Sequence, residues 1–440
     1  MPYRSFCLAA QGKIEVSHHP AEVVRREALD SVTPYGGNFG VLAATLIFVA
    51  TYLVIAVGRL PGFRVDRTGA AIIGASLMIA FNILTFEEAY TSINYDTIIL
   101  LFGMMIVVAN LRLSGFFTAV SEAVVQHAHH PKALLAAIII VSGVFSAFFV
   151  NDTMCLVLTP LVLEVVLALR RNPVPYLLAV AMASNIGSVA TITGNPQNMM
   201  IGAFSGIRYR EFALALSPVA AAGLVVTFAV IAVIYRGEFG RTDRVDVGHR
   251  HIRVNRLLMW KSLVASAAMI LLFFVGWPVP KVALLTGALL LITRRVKPEK
   301  VYHEIDFSLL ILFVGLFIVI AGIEKTSLSS NAIAFATGFG LDRPAILSSF
   351  AAVLSNLVSN VPAELIFKPL IPNLADPKQA WLILAMASTL AGNLTVLGSV
   401  ANLIVIQRAR REVKISFWEY FKVGAPLTVI TIVMGVLLLR

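Results

Sequence analysis

The stretch VLAATLIFVATYLVIAV (41–57) contains no charged side chain, and runs of the same kind recur to the end of the chain. They include TIILLFGMMIVVA (97–109), FALALSPVAAAGLVVTFAVIAVI (212–234), FSLLILFVGLFIVIAGI (307–323) and APLTVITIVMGVLLL (425–439). Helical runs of about 20 apolar residues match the hydrocarbon core of a bilayer. In that medium only helices and closed barrels satisfy their own backbone groups. A soluble protein with a large core would need polar helix faces, which these runs lack. With 58% hydrophobic and 13% charged residues, against about 25% charged in ordinary soluble domains, the chain is expected to be an all-α polytopic membrane protein.

The formal net charge of +11 could suggest nucleic acid, but the basic residues lie in short segments between spans. That is the positive-inside pattern, so no nucleic-acid partner is expected. Cys7 and Cys155 are the two cysteines, which leaves no disulfide framework and no cysteine-rich metal site. The start, MPYRSFCLAAQGKIEVSHHP, lacks the apolar core of a signal peptide. Residues 1–37 read as a polar tail with a short surface helix at AEVVRREAL.

An internal repeat organises the rest. VFSAFFVNDTMCLVLTPLV (144–162) aligns without gaps on VLSNLVSNVPAELIFKPLI (353–371), placing Ser146 on Ser355, Asn151 on Asn360 and Pro160 on Pro369. DTIILLFGMMIVVAN (96–110) resembles DFSLLILFVGLFIVIAG (306–322), and ASNIGSVATITGNPQN (183–198) resembles AGNLTVLGSVAN (391–402). The first repeat, 38–235, is expected to hold spans near 39–58, 68–85 and 96–113, then a surface helix near 114–130. Two short apolar segments meeting at VNDT follow, then an interrupted span (174–205) and a last span (212–235). After a basic cytoplasmic linker, 236–257, the second repeat, 258–440, has spans near 258–276, 279–294 and 306–323, and a surface helix near 325–341. A second pair meeting at SNVP, an interrupted span (380–407) and a last span (423–439) complete it. If both pairs are re-entrant hairpins, each half crosses five times, about ten in all, and an odd number inverts one half relative to the other. This places RRVKPEK and RARREVK inside and FEEAY outside, with an external N-terminal tail.

GNPQN (194–198) is unhelical and amide-rich, yet lies within an apolar span. Unwound backbone at that depth is tolerated where protein or a watery cavity surrounds it. Gly194 permits a turn, Pro196 removes an N–H, and Asn195, Gln197 and Asn198 offer amide donors and acceptors. Gly398, Ser399 and Asn402 are the counterparts in GSVAN. A proline kink with locally satisfied amides is the plainer reading of one such break; two repeat-related breaks favour a substrate site. Asn151, Asp152 and Thr153 form the first hairpin tip, and Ser359, Asn360 and Pro362 the second. These residues cap helix starts, and a cap at mid-membrane also shapes a site. Asp152 is the leading candidate for ion coupling, with Thr153 beside it, since an ionisable group at this depth is functional by default. Glu364 and Lys368, four apart, form a candidate charge pair. Asp96 and Asp306 open their spans as candidate caps, and Glu164 is placed near an interface. The histidines show no ligand spacing in the spans, so no metal site is expected. Without a phosphate-binding GxxxxGK[ST] loop, no nucleotide or other cofactor is expected, nor an enzyme.

The succession VNDT, SNIG…GNPQN, SNVP and GNLTVLGSVAN resembles the ion transporter superfamily over residues 38–440. That group includes divalent-anion/sodium symporters, arsenite permeases and related Na+/H+ antiporters. The resemblance implies a scaffold of outer spans and a transport domain of hairpins and broken spans, moving elevator-fashion in a bacterial or archaeal cytoplasmic (inner) membrane. It adds Asn185 and Asn393, in SNIG and GNLT, to the substrate-binding set. Sodium/dicarboxylate members carry Ser-Asn-Thr at both tips. Here the tips read Val150-Asn151-Asp152 and Ser359-Asn360-Val361, closer to arsenite permeases and their anion-permease relatives. The implied function is proton-coupled efflux of arsenite and antimonite; the alternatives are a carrier of a di- or tricarboxylate or other small anion, and a Na+/H+ antiporter. The partners implied are a small oxyanion or neutral arsenite, protons ahead of Na+, and lipid. A cytosolic ATPase and a homodimer are both compatible with the resemblance.

Overall fold

The computed structural model describes residues 38–58, 62–127, 130–239, 255–294, 296–326 and 338–439. The expected tail 1–37 with its surface helix, the linker at 240–254 and most of the surface helix near 325–341 lie outside the described residues.

The first half runs α1 (Asn38–Val57), α2 (Arg67–Ala80), α3 (Phe86–Ser92), α4 (Tyr95–Leu113), α5 (Phe116–His127), α6 (Pro131–Phe148), α7 (Asn151–Ala168), α8 (Pro173–Ser188), α9 (Pro196–Ser205) and α10 (Tyr209–Ile234), ending with α11 (Arg236–Phe239). The second half repeats the order. It runs α12 (Arg256–Val275), α13 (Val279–Leu291), α14 (Pro298–Tyr302), α15 (Phe307–Glu324), α16 (Pro344–Val358), α17 (Asn360–Phe367), α18 (Pro377–Ala391), α19 (Val400–Ala409) and α20 (Phe417–Leu438). Local chemistry sets these boundaries. Proline occupies the first turn of α6, α8 and α18, where its missing N–H costs nothing, and Asn172 and Asp376 cap α8 and α18 by accepting from backbone N–H groups. Asp306 caps α15 as expected, accepting from Leu309 N at 3.0 Å. Asp96 does not cap α4; Asn94 does, at 2.8 Å from Thr97 N, and Asp96 sits within the first turn.

Among the described residues, eight helices (α1, α4, α6, α7, α10, α12, α15 and α20) are long and apolar enough to cross a membrane. α2 and α13 are shorter, at 14 and 13 residues, and the span expected at 68–85 stops early, where Asn82 takes a left-handed φ of 53°. The first hairpin also departs from the expectation of short arms. α6 and α7 each have 18 residues, or about 27 Å at 1.5 Å per residue, whereas α16 and α17 have 15 and 8. A tip at mid-depth therefore puts the outer ends of α6 and α7 at or beyond a membrane surface.

Close contacts fix the directions of these helices. Gly187 of α8 lies on the backbone of Gly143 in α6, and Thr191 beyond α8 donates to the Ala147 carbonyl, so α6 and α8 run parallel. Asn151 meets Asn185 while Cys155 meets the Val180 carbonyl, so α7 runs against α8. The chain thus reverses at Phe149–Val150, forming a true hairpin.

The halves interlock. α15 packs on α2 of the other half, and α13 on α4. A Cβ on Gly315 would lie 2.8 Å from the Ala71 backbone, and one on Gly103 2.7 Å from that of Ala283, in matching positions of the two repeats. Small residues let backbones approach in this way where lipid supplies no hydrophobic drive between helices. Gly315 faces Ala71 and Gly322 faces Met78, so α15 is parallel to α2. Arg112 at the end of α4 reaches Glu304 before α15, and Lys325 just past α15 reaches Glu88 before α4, so α15 opposes its own counterpart α4. This makes the repeat inverted, as expected from the odd number of crossings. Replacing Gly103 or Gly315 with leucine should destabilise the protein by about 1–3 kcal/mol through overpacking, read as a lowered unfolding temperature in detergent. An unchanged unfolding temperature would show that these contacts do not hold the halves together.

Candidate functional site

Both interrupted spans break in the same manner. α8 ends at Ser188, a 3-10 turn covers Ile192–Gly194, and α9 begins at Pro196; α18 ends at Ala391, a 3-10 turn covers Val396–Gly398, and α19 begins at Val400. Asn195 caps α9, accepting from Asn198 N at 2.8 Å, and Ser399 caps α19, accepting from Ala401 N at 3.2 Å. One asparagine then satisfies each unwound stretch. Asn198 Nδ2 donates to the carbonyls of Ser188 and Thr191, both at 3.0 Å; Asn402 Nδ2 donates to those of Gly392 (2.7 Å) and Thr395 (3.0 Å). Each turn folds back so tightly that a Cβ on Gly194 would lie 2.1 Å from the Ser188 carbonyl oxygen, and one on Gly398 2.9 Å from that of Gly392.

These matching bonds set the repeat register at the breaks. Residue 198 corresponds to 402, 194 to 398 and 188 to 392, so ASNIGSVATITGNPQN pairs without gaps with ASTLAGNLTVLGSVAN (387–402). The similarity of SNIG to GNLT is therefore not structural equivalence. The counterpart of Asn185 is Thr389, which the sequence reading missed; a gap-free alignment at this register identifies it.

Asn185 is the junction of the site. Its Nδ2 donates to Asn393 Oδ1 (2.9 Å) and Asn402 Oδ1 (3.0 Å), and its Oδ1 accepts from Asn151 Nδ2 (3.0 Å) and Ser399 Oγ (3.1 Å). These four bonds use the full capacity of an amide and join the first hairpin tip, the first broken span and the second break. Thr389 does the reciprocal work, its Oγ1 accepting from Asn195 Nδ2 at 3.2 Å and Gln197 Nε2 at 3.3 Å. At the second tip, Ser355 Oγ lies against Asn360 Oδ1 and the Ser388 carbonyl. Asn151, Asn185, Asn195, Gln197, Asn198, Asn360, Asn393, Ser399 and Asn402 are all buried.

The structure thus gathers most of the residues singled out from sequence, with two differences. Lys368 does not pair with Glu364. Its Nζ lies 3.0 Å from Glu324 Oε1 and 5.2 Å from the centre of the Phe204 ring, while Glu364 accepts from Ser388 Oγ at 2.6 Å. A helix spacing of four permits such a pair but does not compel it; α15 and α18 bring the partners that win. Asp152 and Thr153 are half-buried at the edge of the network, with the Asp152 carboxyl facing the Ala401 backbone N–H in the first turn of α19.

The two breaks differ in cover. Residues 175–201 are buried throughout, and α9 packs on α4. In the second break Leu397 is 62% and Val400 39% exposed, and α19 packs on α7 and α8 instead.

Unpartnered atoms indicate what the site can bind. Among the described residues, Asn151 Oδ1, Asn198 Oδ1 and Glu364 Oε2 are buried oxygens without a hydrogen-bond partner, as are the hydroxyls of Ser146 and Ser184 beside the first tip and break. Ser359, at the second tip, holds φ 76° and ψ 159°, a region that costs a non-glycine residue about 1–3 kcal/mol. Ser359→Gly is expected to raise the unfolding free energy by about 1 kcal/mol by relieving that strain. Asn185→Ala, which orphans four buried groups, should lower it by at least about 2 kcal/mol. Thermal unfolding in detergent measures both, and a neutral Asn185→Ala would remove the junction role.

Comparison with known proteins agrees with this architecture. The family model described as "CitMHS: Citrate transporter" matches residues 50–391. The rice protein described as "Silicon efflux transporter LSI3" is 29% identical, the match covering 90% of this chain and 97% of that protein. The Dictyostelium discoideum "Putative transporter arsB" is 24% identical over 93% of each chain. The crystal structure of the Alcanivorax borkumensis YdaH transporter, described as having an unusual topology, shares the fold with a TM-score of 0.57 at 15% identity, covering 91% of this chain and 96% of that one. Inverted repeats, paired breaks and a match over most of the described spans lead to one assignment: the chain is a secondary transporter of the citrate transporter (CitMHS) family, within the ion transporter superfamily.

Proposed function

We propose that this protein moves a small, uncharged, polyhydroxylated solute outward across a cytoplasmic membrane in exchange for protons, with arsenite, and by extension antimonite, as the leading substrate. The observation that carries this reading is a network of neutral amides and hydroxyls with spare oxygens and no cationic side chain. Asn151 Oδ1, Asn198 Oδ1 and the Ser184 hydroxyl are buried in the first tip and broken span without partners, and no arginine or lysine lies in the four motifs. A neutral trihydroxide donates hydrogen bonds to such atoms. A carboxylate, which only accepts, would depend on backbone N–H groups at helix starts. Two cysteines cannot supply a trithiolate arsenic site, so recognition runs through As–OH groups. The rice relative is described as a silicon efflux transporter, and silicic acid is likewise small, uncharged and hydroxylated.

Asp152 is the coupling residue on this reading. It borders the network at the exposed second break, beside the start of α19, where it can exchange a proton as that break gains and loses cover. The sealed first break and the exposed second one suit alternating access, with the hairpins and broken spans moving against the interlocked scaffold. A second reading, a carrier of citrate or a related small anion, draws on the description of the family model.

Expression in an arsenite-sensitive bacterium lacking its own exporter separates the two. Wild type should confer resistance, and everted vesicles should accumulate arsenite when a pH gradient is imposed. Asp152→Asn should lose about tenfold or more of the gradient-driven flux. If wild type gives no resistance while vesicles move citrate, the anion reading replaces this one. If Asp152→Asn keeps full pH dependence, coupling resides elsewhere.

A further inference from the structure

We infer that Glu364, in the second hairpin, is a proton-binding site whose occupancy is linked to the conformation of the hairpin tip and the breaks. The inference rests on the proton-coupled reading above and adds a site to it.

Glu364 is fully buried on α17. Ser388 Oγ donates to its Oε1 at 2.6 Å, and Oε2 has no hydrogen-bond partner among the described residues. Among the described residues, no cation compensates it. Lys368, on the same arm, is taken by Glu324 of α15. Of the other elements packed on α17, α16 and α9 carry no titratable side chain. On α18, Lys378 pairs with Glu211 and Asp376 caps the helix; Lys325, just past α15, pairs with Glu88. Tyr52 of α1 donates its hydroxyl to the Pro362 carbonyl at 3.2 Å. An ionised carboxylate here would be a buried charge with one hydrogen bond, which costs several kcal/mol. A carboxylic acid leaves one neutral hydroxyl, a far smaller penalty.

The repeat shows that packing does not demand this carboxyl. At the hairpin register, which places Asn151 on Asn360, Glu364 corresponds to Cys155; at the break register Ser388 corresponds to Ser184. The first half thus fills the same place with a buried, neutral thiol. An acid retained at one of two equivalent positions, without a counter-ion, fits a proton store better than a structural role.

The surroundings link that proton to the moving parts. The Ser388 carbonyl accepts from Ser355 Oγ, which also lies against Asn360 at the tip, and the adjacent Thr389 holds Asn195 and Gln197 of the first break. Loss of the proton would make Glu364 a stronger acceptor for Ser388, pulling on the residue that carries both connections. Ser359, held at φ 76°, stores strain at the same tip.

Infrared difference spectroscopy of the purified protein in lipid vesicles tests this without requiring a substrate. Wild type at neutral pH should show the C=O band of a buried protonated carboxyl, which is lost in Glu364→Gln, shifted in Glu364→Asp and retained in Asp152→Asn. Absence of the band, or its persistence in Glu364→Gln, overturns the inference. So does a Na+-dependent rise in thermal stability that Glu364→Gln abolishes, which would mark a sodium site. In vesicles loaded with arsenite or citrate, Glu364→Gln should flatten the pH profile of flux and cut gradient-driven accumulation about tenfold, with partial recovery in Glu364→Asp. An unaltered pH profile in a folded Glu364→Gln protein also overturns it. If neither solute moves in wild type while the carboxyl band behaves as described, the solute assignment fails and the proton site stands.

Discussion

A peptide group that leaves the helix inside a membrane must find its hydrogen bonds within the protein, because lipid offers none. Everything distinctive in this molecule follows from meeting that condition twice. Asn198 and Asn402 each use both amide N–H groups to hold two carbonyls of an unwound turn. Gly194 and Gly398 let those turns close onto the preceding helix end. The cost of interrupting a span is thereby confined to a few residues, and the interruption brings helix ends and amides together inside the bundle.

Duplication with inversion supplies the second copy, and small sequence differences between copies give each its role. Asn185 can make four hydrogen bonds where its counterpart Thr389 cannot, so the two breaks are joined asymmetrically. Asn402 Oδ1 receives an N–H from Asn185, whereas Asn198 Oδ1 receives none. Glu364 stands where the other half has Cys155. A perfectly symmetric pair would leave identical atoms spare on both sides; these departures make the two halves of the network unlike.

The interlocked helices explain how such a site is held. α2 and α13 pack on the partners' α15 and α4 through backbone contacts at small residues, binding the halves into one frame. Ion pairs reinforce it near the surfaces. Lys325 bridges to Glu88 beside the Thr85 cap, and that pairing, with the Thr85 backbone N–H, holds the Glu88 carboxyl below the usual carboxylate range. Arg112 reaches Glu304 across the two halves in the same way. The hairpins and broken spans, by contrast, meet one another mainly through neutral amides and hydroxyls, whose bonds contribute about 0.6 kcal/mol each on average in membrane proteins and can be exchanged without stranding charge.

Hydropathy and breaker residues determined the class of fold, the approximate spans, the two hairpins and the two interruptions, because burial in lipid and loss of a backbone N–H act on each segment by itself. Asn151, Asn195, Asn198, Asn360 and Asn402 were legible for the same reason: amides are out of place in an apolar run and mark where its helix starts or breaks. Tertiary structure alone decided the partners. It joined Lys368 to Glu324 instead of Glu364, set the register that matches Asn185 with Thr389, and left Glu364 sealed beside Ser388. A helix offers a long side chain several partners at comparable local cost; which one it takes depends on helices distant in sequence that pack alongside, and no spacing along the chain encodes that distance.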